Sequence, residues 1–141
     1  MAYRTFFTPK NRPKYVGDAE NILCRSLWER KFCKYLDENV NIVRWGFEQV
    51  KIPYISTDNK IHMYIPDFIV ETKNKKNIRE ITIIEIKPKK QTAEPIMRKN
   101  KQAFLREFLT YSVNTSKWQS AHKYCSEKGW NFKIITETDL F

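Results

Sequence analysis

Glycine and cysteine are scarce in this sequence, and histidine is scarcer. The three glycines among 141 residues form neither a GxGxxG nor a P-loop motif, so no nucleotide cofactor is expected. Three cysteines, Cys24, Cys33 and Cys125, contain no Cys-x-x-Cys pair and give neither a disulfide framework nor a zinc site. They fit a reducing cytoplasm. Only two histidines, His62 and His122, are present, which excludes a His-rich metal centre. No apolar run approaches the roughly 18 residues of a membrane span, and Met1–Thr8 lacks the long apolar stretch of a signal peptide. No membrane association is expected, and the chain is expected to stay in the compartment where it is made.

What is present argues for a folded domain. Hydrophobic residues make up 41% and aromatic residues 14%, enough for a core despite a mean hydropathy of −0.64. The length suits one domain. Lys and Arg number 26 against 16 Asp and Glu, a net charge of +10. Because a Lys-rich coding bias alone would raise that total, position is more informative. Residues 1–36 carry +5, residues 37–72 carry −3, residues 73–101 carry +7 and residues 102–141 carry +1. Two basic blocks therefore flank an acidic one. A basic surface points to a polyanion such as nucleic acid, or is simply a solvated face.

Residues 1–20 hold aromatics, prolines and basic side chains without periodicity, and read as an extended arm before a single domain at 21–141. From Asn21 to about Asp37 the apolar residues Cys24, Trp28, Phe32, Tyr35 and Leu36 recur at helical spacing. Three strands are expected next: one with Val50, Ile52 and Tyr54 alternating, one over about His62–Glu71, and one over Glu80–Lys87. The polar stretch Ser56–Lys60 marks a hairpin turn between the first two. Helical patterns around Met97–Leu109 and Lys117–Lys128 follow, the second with Thr115 as N-cap and Gly129 as stop. Phe132–Thr136 reads as a last strand. The order helix, three strands, helices, strand makes an α/β layer with a central mixed sheet.

Two carboxylates sit where apolar residues would normally be. Asp67 follows Pro66 inside an apolar strand, and Glu85 lies near the end of the most hydrophobic one. Burying a carboxylate is costly unless it is paired or holds a metal. The period of two puts Glu85 and Lys87 on one face, with the Ile86 backbone carbonyl between them. Two carboxylates and a carbonyl are hard oxygen donors suited to Mg²⁺, with Mn²⁺ as a substitute, and the set fits metal-assisted phosphodiester hydrolysis. Lys87 would orient or deprotonate the attacking water. The alternative is a surface Glu85–Lys87 pair and a turn residue at Asp67. Glu29, on the border of the helical stripe, either leans into this site or pairs with Arg25 four residues earlier; Arg25 would hold Glu29 or a phosphate. Glu48 and Gln49 either support the site or are polar residues at a strand edge. Lys89, Lys90, Arg98, Lys99 and Lys101, in the +7 block, are candidate phosphate contacts on DNA.

Glu29, then Pro66-Asp67, then Glu85-Ile86-Lys87 resembles the PD-(D/E)xK nuclease superfamily, whose restriction-endonuclease-like core has the element order just read. Within it, CRSLWERKF, FEQVKIPY, YIPDFIVE and IIEIKPKK are similar to the endonuclease subunit of cut-and-paste bacterial transposons. PKNRPKYVGD, WGFEQVKIPY, IIEIKPKKQT, TYSVNTSKW and FKIITE resemble the head completion nucleases of T4-like tailed phages, nearly end to end. The resemblance implies that Asp67 and Glu85 are metal ligands, Lys87 the catalytic lysine and Glu29 a helix-borne acid of the site. It also implies an Mg²⁺-dependent DNA endonuclease acting late in phage head assembly, in host cytoplasm or carried in the virion head. A non-catalytic factor binding DNA or the head portal proteins is the alternative.

Overall fold

The computed structural model describes residues 3–140; Met1, Ala2 and Phe141, at the ends of the expected arm and domain, lie outside the described residues. The arm begins with β1 (Thr5–Phe6), which pairs antiparallel with β2 (Leu23–Cys24). After β2 comes α1 (Leu27–Glu38), followed by β3 (Ile42–Phe47). The pair β4 (Ile52–Ile55) and β5 (Ile61–Tyr64) forms a separate two-stranded hairpin. The chain returns through β6 (Phe68–Lys73) and β7 (Arg79–Ile86), climbs α2 (Lys101–Lys128) and closes with β8 (Asn131–Ile135) and a short α3 (Glu137–Leu140).

The central sheet has the order β3-β6-β7-β8, antiparallel except for the parallel pair β7–β8. It is the expected mixed sheet. One face carries Phe47, Phe68, Val70, Ile84, Ile86 and Ile135 and packs on Phe32, Cys33 and Leu36 of α1. The other face meets a second cluster, in which Ile52, Tyr54 and Tyr64 of the hairpin pack on Trp118 and Ala121 of α2.

Several elements differ from the sequence expectation. α1 starts at Leu27 rather than Asn21, because Ser26 accepts the Glu29 N–H as N-cap and Leu23–Cys24 is drawn into the strand pair with the arm. The first sheet strand is β3, which the sequence did not reveal. Trp45, Gly46 and Phe47 are all buried, so no alternation marks it. The strand expected around Val50–Tyr54 forms, with its hairpin turn at Ser56–Lys60, but the hairpin is a separate sheet and not part of the central one. The strand expected over His62–Glu71 is broken at Pro66, which has no N–H to give to a ladder, so Asp67 lies in a bend between β5 and β6 and not within a strand. The two expected late helices are one. Thr115 does not cap. Its hydroxyl bonds back to the Tyr111 carbonyl, as Ser112 and Ser116 bond to Phe108 and Ser112, and the helix continues through them. Asn100 is the N-cap, and Gly129, at φ +72°, ends the helix in the left-handed region.

The arm is fastened to the end of α1. Asp37 is 2% exposed, and its carboxylate accepts the backbone N–H groups of Lys10 (2.9 Å) and Asn11 (3.1 Å). The Lys14 ammonium donates to the carbonyls of Leu36, Asp37 and Asn39, at 2.9–3.0 Å, and so satisfies acceptors that the helix end leaves open. Burial lowers the Lys14 pKa, opposed by the attraction of Asp37. Replacing Asp37 with Ala would strand two N–H donors beside an ammonium. We expect Asp37→Ala to lower unfolding stability by roughly 2–4 kcal/mol in urea titrations. Lys10→Ala, which keeps its backbone donor, should stay within about 0.5 kcal/mol of wild type.

Candidate active site

The register of β6 and β7 pairs Phe68 with Ile84, and one step further it sets Asp67 opposite Glu85. The two carboxylates therefore meet where the sheet ends, on the face turned toward the hairpin and α2. Glu85 is 6% exposed. Its Oε2 accepts the Tyr64 phenol at 2.6 Å, and burial together with the Glu85 charge holds that phenol protonated, far above its ordinary pKa. Asp67 Oδ2 accepts the Ile86 N–H at 2.8 Å, and the Asp67 carbonyl accepts the Glu48 N–H at 2.8 Å. Burial first, and then the neighbouring Glu85 carboxylate, push the Asp67 pKa from 3.8 to about 8, against the pull of Lys87. At neutral pH Asp67 thus keeps its proton.

Glu29 stands at the start of α1. Its Oε1 accepts the backbone N–H of Arg25 at 2.7 Å, a variant of the capping box in which the acid reaches one residue before the cap. Burial raises the Glu29 pKa, with further contributions from Asp67 and Glu48. The side-chain pair between Arg25 and Glu29, one of the two alternatives the spacing left open, does not form: the guanidinium turns to Glu48, Nη1 to Oε1 at 2.7 Å. Among the described residues no three His, Cys, Asp or Glu side chains converge into one metal-sized group. Asp67 and Glu85 are brought together, with Lys87 on the same face; Glu29 feels the Asp67 charge but stands apart.

The donor chemistry of the pair suits a hard divalent cation. A carboxyl that burial and a neighbouring carboxylate keep protonated can exchange its proton for a metal. Lys89 and Lys90 lie in a single 3-10 turn after β7, and the backbone N–H of Lys89 is held by Glu137. Lys99 and Lys101 are exposed at the start of α2. Arg98 is tied to Glu107, which leaves its fork partly used. Two residues near the site were missed by sequence reasoning or left undecided. Tyr64 carried a signal, an inward-facing aromatic three residues before Asp67. Glu48 carried none, because its placement depends on a backbone turn.

A family model described as TnsA-like endonuclease N terminal matches residues 39–137. Asp67, Glu85 and Lys87 fall inside the match, and α1 with Glu29 precedes it. The head completion nuclease of Enterobacteria phage T4 is 38% identical over 146 residues, covering 99% of this chain and 95% of that protein. No solved structure matches the chain significantly.

The raised Asp67 pKa has a thermodynamic sign. Below about pH 4 Asp67 is protonated in both states, and between there and pH 8 the unfolded chain loses a proton that the folded one keeps. Stability therefore falls as pH rises through that window. In EDTA, Asp67→Asn should melt higher than wild type at pH 8, by roughly 5 °C or more. The difference should shrink toward zero near pH 4, as read by thermal denaturation followed with circular dichroism.

Proposed function

This chain belongs to the TnsA-like endonuclease N-terminal family, and we propose that it hydrolyses phosphodiester bonds of double-stranded DNA with the help of Mg²⁺ during completion of a phage head. The observation that carries this reading is the pairing of buried Glu85 with half-buried Asp67 at the end of β7, within reach of the Lys87 charge. The similarity to the T4 head completion nuclease supports the setting: packaged DNA as substrate, the head or its portal as neighbour, and the infected host cell or the virion head as location.

Asp67 and Glu85 would hold the cation, with the Ile86 carbonyl as a further oxygen donor; Glu29, set apart at the start of α1, would bear on the site through its charge. When bound, Mg²⁺ or Mn²⁺ supplies Lewis acidity to the scissile phosphate and eases deprotonation of water. The protein's own groups do the rest. Tyr64 and the Ile86 N–H each occupy one carboxylate oxygen, so the free oxygens are aimed by fixed hydrogen bonds. Lys87, two residues beyond Glu85 on one face, orients the attacking water and offsets charge gathering on the phosphate. Lys89, Lys90, Lys99 and Lys101 meet flanking phosphates, and Arg98 joins them through the donors that Glu107 leaves open.

Incubation with supercoiled plasmid and MgCl₂ should give nicked or linear DNA, and EDTA should stop it. Asp67→Ala, Glu85→Ala and Lys87→Ala should each cut at least about 100-fold more slowly while retaining the wild-type circular dichroism spectrum. Equal cutting by Asp67→Ala and wild type would remove Asp67 from the chemistry. Binding of a short duplex should weaken steeply with salt, and neutralising Lys89, Lys90, Lys99 and Lys101 together should flatten that dependence by about three to four units of slope.

A further inference from the structure

Glu48 occupies a backbone conformation that favours glycine. Its φ is +55°, in the left-handed region, where a side chain beyond Cβ crowds its own backbone. It closes β3 and turns the chain from the central sheet into the hairpin. A glycine would make that turn without strain, yet the position carries a glutamate whose carboxylate reaches Arg25 on the segment before α1.

Two contacts join this residue to the site. Its N–H donates to the Asp67 carbonyl at 2.8 Å, and its Oε1 accepts Arg25 Nη1 at 2.7 Å. The Arg25 side chain is 53% exposed, and its charge is felt by both Glu29 and Glu48. Arg25 has five N–H donors in a planar fork, and Glu48 engages one edge of it. The Asp67 charge also reaches the guanidinium, which sets the remaining donors near that side of the site. A phosphate next to the scissile one would meet them there.

We propose that Glu48 is a positioning residue that holds the Arg25 guanidinium at the rim of the site as a clamp for a DNA phosphate, and that the strained backbone at Glu48 is retained for that purpose. The inference deepens the DNA-hydrolysis reading and rests on it for the identity of the polyanion. Its physical content is separable: the Glu48 backbone N–H shapes the loop, which any residue would do, whereas its carboxylate fixes Arg25, which only an acceptor of that length can do. An unheld arginine loses rotamer freedom each time it binds a phosphate, and a held one has already lost it.

The sign of the effect on DNA affinity separates this role from a bland one. Glu48→Gly removes a negative charge beside the DNA path, so simple electrostatics demands tighter binding. The clamp demands weaker binding. The test uses a labelled 30-base-pair duplex in EDTA, where no cutting occurs, with thermal melting of each variant alongside. Glu48→Gly should bind about tenfold more weakly than wild type, the fold-change expected for one charge-assisted hydrogen bond. It should melt no lower than wild type. Arg25→Ala should show a similar loss, and Glu48→Gly with Arg25→Ala should be no weaker than Arg25→Ala alone. Glu48→Gln, which keeps the acceptor, should recover most of the affinity with no gain in melting temperature. Wild-type or tighter binding by Glu48→Gly overturns the clamp, as do additive losses in the double variant. Affinities that follow the expected pattern in a protein that cuts no plasmid with Mg²⁺ would uphold the clamp and remove the hydrolysis reading instead.

Discussion

Two like-charged carboxylates, Asp67 and Glu85, face each other where β6 and β7 end, and the surrounding structure is arranged to hold them there. The antiparallel register sets them opposite. Pro66 stops the ladder one residue before Asp67, which frees its carboxylate to take the Ile86 N–H. The hairpin brings Tyr64 to Glu85, and that hairpin is itself clamped by Trp118 and Ala121 of α2. The far half of the long helix thus supports the site through a phenol, not by direct contact with the carboxylates. On the other side, α1 is pinned through Asp37 by the arm, which fixes the helix that carries Glu29.

A second buried acid, on β6 beyond Asp67, shows what the pair is not. Glu71, 9% exposed, lies toward the opposite end of β6 and is bridged by Arg44 at 2.7 Å and by Arg79 at 3.3 Å. The hydrogen bond from Arg44 leads the causes that lower its pKa. A buried carboxylate with its cation built in is structural. Asp67, with a carboxylate in place of a guanidinium as its nearest partner, is driven the other way. The protein carries the cost of that repulsion at one end of a sheet whose other end shows the ordinary solution. Such local disagreement between stability and side-chain choice is expected where binding, not folding, fixes the residue.

The sequence exposed much of this and hid a definable part. Asp67, Glu85 and Lys87 stood out because each interrupted an apolar pattern, and β7 was legible because its β-branched run is long. β8 and the Gly129 stop were also readable from local signals. β3 was hidden because Trp45, Gly46 and Phe47 are buried in succession, on both faces, and leave no period. The split of one expected strand into β5 and β6 follows from Pro66, yet its consequence, a hairpin packed on α2, depends on contacts distant in sequence. The continuous α2 was obscured by serine and threonine hydroxyls that look like caps and act as back-bonds to the helix. Glu48 was undecidable because the feature that matters there is a dihedral angle. The Arg25–Glu29 alternative failed because the helix N-terminus claimed Glu29 first.

The net charge of +10 is better understood as an arrangement than as a total. On the proposed reading, Lys89, Lys90, Lys99 and Lys101 serve an acidic centre that takes up a cation of its own. That is the central claim, and cation-linked stability tests it most directly. Thermal melting at pH 7.5 across increasing MgCl₂ or MnCl₂ should raise the wild-type melting temperature in the manner of a ligand bound only by the folded state. Asp67→Asn should show no such rise. A wild-type melting temperature that does not respond to either cation, or one that rises equally in Asp67→Asn, would contradict the account.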